Sequence, residues 1–305
     1  MDYRRLPLQG LNNARDLGGY PLKGGGITAY RRFIRCEAPR AITDSDLEFL
    51  KAYGVTVSID FRGDSEISRH PSVLADTPGI EYRRCVTFDK QVAFASRTPG
   101  EGTAAPETSG ASVTPGGADT SEAAQVHEPA DVTGASESPK QEEAASGERP
   151  EGARPAMDAF VDWGEKYIEI VENSREWIRD TLTVMAQANG AVLFNCATGK
   201  DRTGVITALL LGIAGVEDCD IVADYCVSEL YLRDVYEELL AGYREKWPDE
   251  KVDINSPFFK TAPENMERLL KHINETYDGV EGFVKTCNIG DEDISVLKGK
   301  LRDVE

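Results

Sequence analysis

Ala191-Val192-Leu193-Phe194-Asn195-Cys196-Ala197-Thr198-Gly199-Lys200-Asp201-Arg202-Thr203-Gly204, with the apolar run Val205 to Val216 behind it, decides how this chain is read. A short apolar segment suited to a buried strand enters a polar loop, and the loop opens into an apolar segment long enough for a helix. In such a turn consecutive backbone N–H groups point inward and the helix N-terminus adds partial positive charge, so an anion is held without a metal. The Cys-x5-Arg spacing puts the Cys196 thiol at the floor of that cradle and the Arg202 guanidinium at the helix start. The same field favours a thiolate, which is a nucleophile suited to phosphorus.

Each residue of the loop has a task if a phosphate monoester sits there. Cys196 Sγ attacks in line, and the planar fork of Arg202 holds two equatorial oxygens of the transferring group. Thr203 donates its hydroxyl to the departing sulfur in the second step. Gly199 permits the tight turn, with Ala197, Thr198 and Gly204 completing the cradle. Lys200 adds a cation at the rim. Asp201 either protonates the leaving oxygen or orients Lys200 and a nearby arginine.

Working outward, Val55 to Arg62 has the β-branched density of a buried strand ending in charge, and Ile80 to Val86 alternates like another. Thr43 to Lys51 reads as a capped helix with acids in its first turn, and Met157 to Ala188 as helix broken near Ser174. Ile221 to Tyr243 has helical spacing, Pro263 opens a further helix, and Asp291 starts a short last one. Strands alternating with helices predict an α/β fold with a mainly parallel central sheet flanked by helices and a helical C-terminal part. Ligands bind at the carboxyl ends of such strands, where the Cys196 loop and Asp60-Phe61-Arg62 meet. Tyr225, Cys226 and Tyr231 read as core.

Between about Ser96 and Pro155 the composition shifts to Gly, Pro, Ala, Ser, Thr and Glu, with no aromatic residue from Phe94 to Phe160. This predicts a disordered acidic insert within one domain spanning 1–305, because such a segment buries too little apolar surface to offset its ordering entropy. The 40% hydrophobic content of the 305 residues supports a sizeable core. A net charge of −19 excludes nonspecific nucleic-acid binding and simple docking on anionic membranes. Six cysteines without a CxxC pair indicate neither a disulfide framework nor a zinc site. The N-terminal residues lack the apolar core of a signal peptide, and the Val205–Val216 run falls short of the roughly 20 residues of a membrane span. A soluble, cytoplasmic protein is expected. His70, His127 and His272 match no motif.

At these residues the chain resembles the cysteine-dependent protein tyrosine phosphatases, and within them the bacterial atypical branch of tyrosine and phosphoinositide phosphatases. The resemblance extends to Asn13-Ala14-Arg15-Asp16-Leu17-Gly18-Gly19-Tyr20, to Arg35-Cys36-Glu37-Ala38 with Thr43 to Leu47, to Ile59-Asp60-Phe61-Arg62 with Glu66, and to Pro263-Glu264-Asn265-Met266 through Phe283. It implies hydrolysis of phosphotyrosine, with phosphoserine, phosphothreonine and phosphoinositides as further substrates, and no cofactor or metal. It implies Cys196 as nucleophile, Arg202 as phosphate clamp, Lys200 and Asp201 as auxiliaries and Asp60 as an acid candidate. Lys200 matches a loop lysine of the lipid phosphatases in this superfamily. Asp60 is alternatively a hydrogen-bond acceptor for the backbone or Arg62, and Arg15 with Asp16 reads as a structural pair bracing the loop. Asn195 stands where these phosphatases usually carry histidine, which predicts weaker thiolate activation, since an amide carries no charge. Two other readings stay open: a module that binds a phosphorylated partner without turnover, and an inositol polyphosphate phosphatase drawing on Arg15, Arg62, Lys200 and Arg202.

Overall fold

Branched and aromatic residues that alternate along the strands bury both faces of the central sheet. In a computed structural model that describes residues 4–87, 161–248 and 252–302, the strands are β1 (Arg15–Asp16), β2 (Phe33–Cys36), β3 (Val55–Asp60), β4 (Glu81–Arg84) and β5 (Ala191–Asn195). The expected insert at 96–155, His127 and the helix onset at Met157 lie outside the described residues. Strand order is β1-β2-β5-β3-β4. All neighbours run parallel except β1, which pairs antiparallel with β2. The α/β architecture with a mainly parallel sheet therefore stands as expected. The short edge pair β1–β2 has no strong sequence signal and was not anticipated.

Ten α-helices occur among the described residues: α1 (Asp44–Tyr53), α2 (Asp64–Arg69), α3 (Trp163–Asn173), α4 (Arg175–Gln187), α5 (Asp201–Ala214), α6 (Asp218–Tyr231), α7 (Arg233–Lys246), α8 (Pro263–Tyr277), α9 (Val280–Thr286) and α10 (Asp291–Leu301). Thr43 and Asp46 form a capping box at α1, and Gly54 closes that helix with φ 99°. The break at Ser174 falls between α3 and α4 as predicted. The Ile221–Tyr243 pattern is two helices joined at Leu232.

The two-residue strand period divides the core. Phe33, Val57, Ile59, Val192 and Phe194 face a large cluster built from α3 to α6 and α8 to α10. Ile34, Cys36, Ala191 and Leu193 face a smaller one closed by Leu50 of α1 and the N-terminal Leu6 and Leu11. A register shift between Val55 and Val57 moves these two residues of β3 to opposite clusters. Helix α5 is buried almost all round, which fixes the strand, loop and helix around Cys196 inside the core.

At Gly212 helix α5 packs closely against α9. A methyl group there would lie 2.5 Å from Val280 Cγ2 and 2.8 Å from Val280 Cβ of α9. Alanine gains about 1 kcal/mol of helix propensity over glycine, whereas overpacking costs about 1–3 kcal/mol. Gly212→Ala is expected to lower the urea midpoint and Gly212→Ala/Val280→Ala to recover part of the loss. A single variant at or above the wild-type midpoint would show that α9 yields freely.

Candidate active site

The loop from Cys196 to Lys200 is shaped by what grips it from outside. Gly199 has φ 68°, and a Cβ on it would lie 2.3 Å from Cys36 O, so both its conformation and its closeness to β2 require glycine. Ala38 N donates to Ala197 O at 3.1 Å. Asn13 Nδ2 donates to Thr198 O at 3.0 Å and Gly199 O at 3.2 Å. Arg35 Nη2 donates to Gly199 O at 2.6 Å and, at 3.4 Å, to Lys200 O. In a trans peptide the C=O and the following N–H point in opposite directions. Holding these carbonyls outward leaves the following N–H groups facing the other way, on the inner side of the loop at the start of α5.

The grip is anchored on one buried carboxylate. Asp224 of α6 accepts from Arg15 Nε at 2.8 Å, from Tyr20 Oη at 2.7 Å and from Arg35 Nη1. Arg15 also reaches Asn13 Oδ1 at 2.5 Å and Ser228 Oγ at 2.9 Å, so Asn13 and Arg35 are both held in place. Burial alone would raise the Asp224 pKa, but Arg15 and Arg35 hold it well below the usual carboxylate range. Arg15 braces the loop through Asn13, but the expected pair does not form, and Asp16 is bonded away from the loop. Asp16 accepts from Gly18 N, Arg31 N and Tyr53 Oη, because adjacent strand residues point to opposite faces.

Arg202, in the first turn of α5, is fastened by Glu66 and the Phe61 carbonyl. Its Nη1 and Nη2 donate to Glu66 Oε2 and Oε1 at 2.9 and 2.8 Å, and Nη1 also to Phe61 O at 3.0 Å. Burial opposes its charge, but the Glu66 hydrogen bonds and then Cys196 hold the guanidinium above the ordinary arginine range. Arg202 Nε and Thr203 Oγ1 are buried with no hydrogen-bond partner among the described residues. Unpaired buried polar groups cost about 1–3 kcal/mol each, and here two fall on adjacent residues in the first turn of α5. Asn195 is fully buried, with Nδ2 donating to Cys196 O at 3.1 Å.

Lys200 is not at a rim. Only 2% exposed, its ammonium donates to Phe258 O at 2.7 Å and Lys260 O at 3.3 Å and sits 4.9 Å from the Trp163 ring centroid. The loop points it inward, and a buried ammonium must find acceptors. Asp201 Oδ1 accepts from Tyr167 Oη at 2.6 Å and lies 3.7 Å from Lys200 Nζ. Burial, then Asp201, pushes Tyr167 far above its ordinary pKa, so it stays a donor. Asp60 has both oxygens committed: Arg62 Nε at 3.0 Å and Nη2 at 2.7 Å, and Tyr82 Oη at 2.9 Å. The structure thus brings Cys196, Arg202, Thr203, Lys200 and Asp201 to one loop, with Asp60 behind Arg62. Asn13, Arg35, Glu66, Tyr167 and Asp224 were not assigned from sequence. All but Tyr167 and Asp224 lie in the motif segments quoted above, whereas those two are helical residues in amphipathic runs and carry no signal of their own.

At the candidate site the central strand β5 of a mainly parallel sheet runs into a loop that carries the buried Cys196 thiol, with Arg202 at the start of the helix behind it. The tyrosine phosphatase family model matches residues 6–303, and the chain belongs to that family. A tyrosine-protein phosphatase of Nostoc commune is 25% identical over 276 residues, covering 88% of this chain and 74% of that protein. A Cupriavidus necator protein, provisionally named a tyrosine-protein phosphatase, is 30% identical over 295 residues, covering 96% and 87%. The triple specificity protein phosphatase PtpB of Mycobacterium tuberculosis is 22% identical over 165 residues, covering 51% and 59%. Among the described residues no helix is long and apolar enough to cross a membrane.

Removing the anchor gives a test with a pH signature. Asp224→Asn leaves Arg15 and Arg35 buried with their shared carboxylate gone and is expected to cost about 3–5 kcal/mol in urea unfolding at pH 7. A carboxyl with a depressed folded pKa stabilises fully above its unfolded value of about 3.9 and loses that stabilisation as pH falls toward the folded value. The gap between wild type and variant is therefore expected to be constant above about pH 5 and to narrow below about pH 4. A gap that widens in acid would contradict the assignment.

Proposed function

We propose that this protein is a cysteine-dependent tyrosine phosphatase that hydrolyses phosphomonoesters through a phosphocysteine intermediate. Cys196 Sγ forms a bond to phosphorus as the bond to the ester oxygen breaks, and that oxygen leaves with a proton from an acid. Water then attacks phosphorus, the S–P bond breaks, and inorganic phosphate and the thiolate remain. Inward N–H groups and Arg202 stabilise the equatorial oxygens in both steps. The observation that carries this reading is the buried Nε of Arg202, which has no hydrogen-bond partner among the described residues while the other two nitrogens are fastened by Glu66. That leaves one N–H edge of a preoriented guanidinium for an oxyanion above the thiol.

For the acid, we assign Asp201. Its Oδ2 has no hydrogen-bond partner among the described residues, whereas Asp60 accepts through both oxygens and holds Arg62. Phosphotyrosine is the proposed principal substrate. The inositol polyphosphate reading loses ground because Arg15, Arg62, Lys200 and Arg202 are each bonded within the protein.

Hydrolysis of para-nitrophenyl phosphate and a phosphotyrosine peptide with EDTA present, by wild type and Cys196→Ser in parallel, tests the mechanism. Metal-independent turnover that Cys196→Ser abolishes is the expected result. Folded wild type without turnover on any substrate would instead support the phosphate-binding module, and Asn195→His would then be the variant to examine for restored activity. Asp201→Asn is expected to lower kcat by roughly 100-fold or more and to flatten the alkaline limb of the rate profile, with the largest loss on poor leaving groups. Asp60→Asn giving that pattern in place of Asp201→Asn would reverse the assignment.

A further inference from the structure

Along the carboxyl edge of the sheet almost every cation has its counter-charge inside the protein. Arg15 and Arg35 share Asp224, Arg62 has Asp60 and Arg202 has Glu66. Arg40 differs. It sits in the loop that leaves β2 beside the Cys196 loop, fixed by Ala38 N on Ala197 O at 3.1 Å and by Val73 N on Pro39 O at 2.9 Å. Half-buried among Arg62, Glu66, Glu37 and Asp60, it makes no hydrogen bond or ion pair with any described residue. The neighbouring carboxylates are already taken: Asp60 by Arg62, Glu66 by Arg202, and Glu37 by the N–H groups of Asn12 and Asn13. Burial and then Arg62 push the Arg40 pKa down from the ordinary arginine value, as expected of a cation without a counter-charge.

We propose that Arg40 is a specificity-determining residue that receives a carboxylate flanking the phosphotyrosine of a substrate peptide. This rests on the phosphatase reading above and names its substrate class. A guanidinium fork matches a carboxylate bidentately, and one unpaired cation matches one additional negative charge. A chain of net charge −19 repels polyanions and anionic bilayers at longer range, so a singly charged side chain next to the phosphate fits better than a phosphoinositide headgroup. A half-buried arginine held away from solvent also discriminates more sharply than an exposed one.

The test uses the full chain and two phosphotyrosine peptides identical except for Glu or Gln at the positions flanking the phosphotyrosine, with a soluble inositol bisphosphate as a third substrate. In wild type kcat/KM is expected to favour the Glu peptides by roughly 3- to 10-fold at low salt. That ratio is expected to fall to about one in Arg40→Ala and to recover partly in Arg40→Lys. Equilibrium binding of the same peptides in the Cys196→Ser background is expected to show the same ratio and its loss. A ratio that survives Arg40→Ala, or a loss of equal size on both peptides, overturns the proposal. A selective loss on the inositol bisphosphate overturns it in favour of a second phosphate. If folded wild type turns over nothing while the binding ratio depends on Arg40, the phosphatase reading fails and the Arg40 assignment stands.

Discussion

Everything at this site depends on the outward capture of four peptide carbonyls. A loop left to itself would hydrate its carbonyls and N–H groups alike and fluctuate among many turns. Here Ala197, Thr198, Gly199 and Lys200 give their oxygens to Ala38 N, Asn13 Nδ2 and Arg35 Nη2, and the opposite faces of the same peptides make the cradle. The grip must come from buried side chains, because Gly199 packs against β2 too closely for anything larger than hydrogen. Burying Arg35 and Arg15 there requires a carboxylate, and Asp224 supplies it from a helix far along the chain. The N-terminal segment, β2, α6 and the Cys196 loop are thus one cooperative unit, and a defect in any of them reaches the loop.

The same logic shows which parts of the molecule could be read from sequence. Strand β5, the loop and α5 were legible because period, turn chemistry and residue types agree over one continuous stretch. Strand β3 and helices α1, α3, α4 and α8 were legible from branching, caps and the break at Ser174. Strands β1 and β2 were not: β1 is two residues long, β2 is buried at all four positions and shows no alternation, and they form because β5 offers β2 a buried edge and β2 then offers one to β1. Within the site the loop residues declare themselves, while their supports do not. Asp224 lies in Ile221-Val222-Ala223-Asp224-Tyr225, where nothing local distinguishes it from a solvent-facing acid. Its role exists only when Arg15, Tyr20 and Arg35 arrive from some two hundred positions earlier.

Lys200 shows how a correct residue type can be given the wrong place. A lysine in a phosphate loop reads as a cation aimed at substrate. The first turn of α5 instead carries it beneath the loop, to the carbonyls before α8 and the face of Trp163. There its charge ties the loop to the C-terminal helical part and stands 3.7 Å from Asp201. Tyr167 donates to the same Asp201 oxygen, so one hydrogen bond and one ion pair orient that carboxylate while its other oxygen has no hydrogen-bond partner among the described residues.

An acidic chain that handles an oxyanion meets a difficulty at long range, and the pairing pattern resolves it. Glu66 cancels most of the far field of Arg202, and Asp60 and Asp224 do the same for Arg62, Arg15 and Arg35. Such a site exerts little attraction beyond the Debye length of about 8 Å. Under the proposed function, selection then occurs at contact, through the loop N–H groups and the open edge of Arg202, and charge alone contributes little. Net charge sets which molecules approach, and the carbonyls turned outward set which one is held.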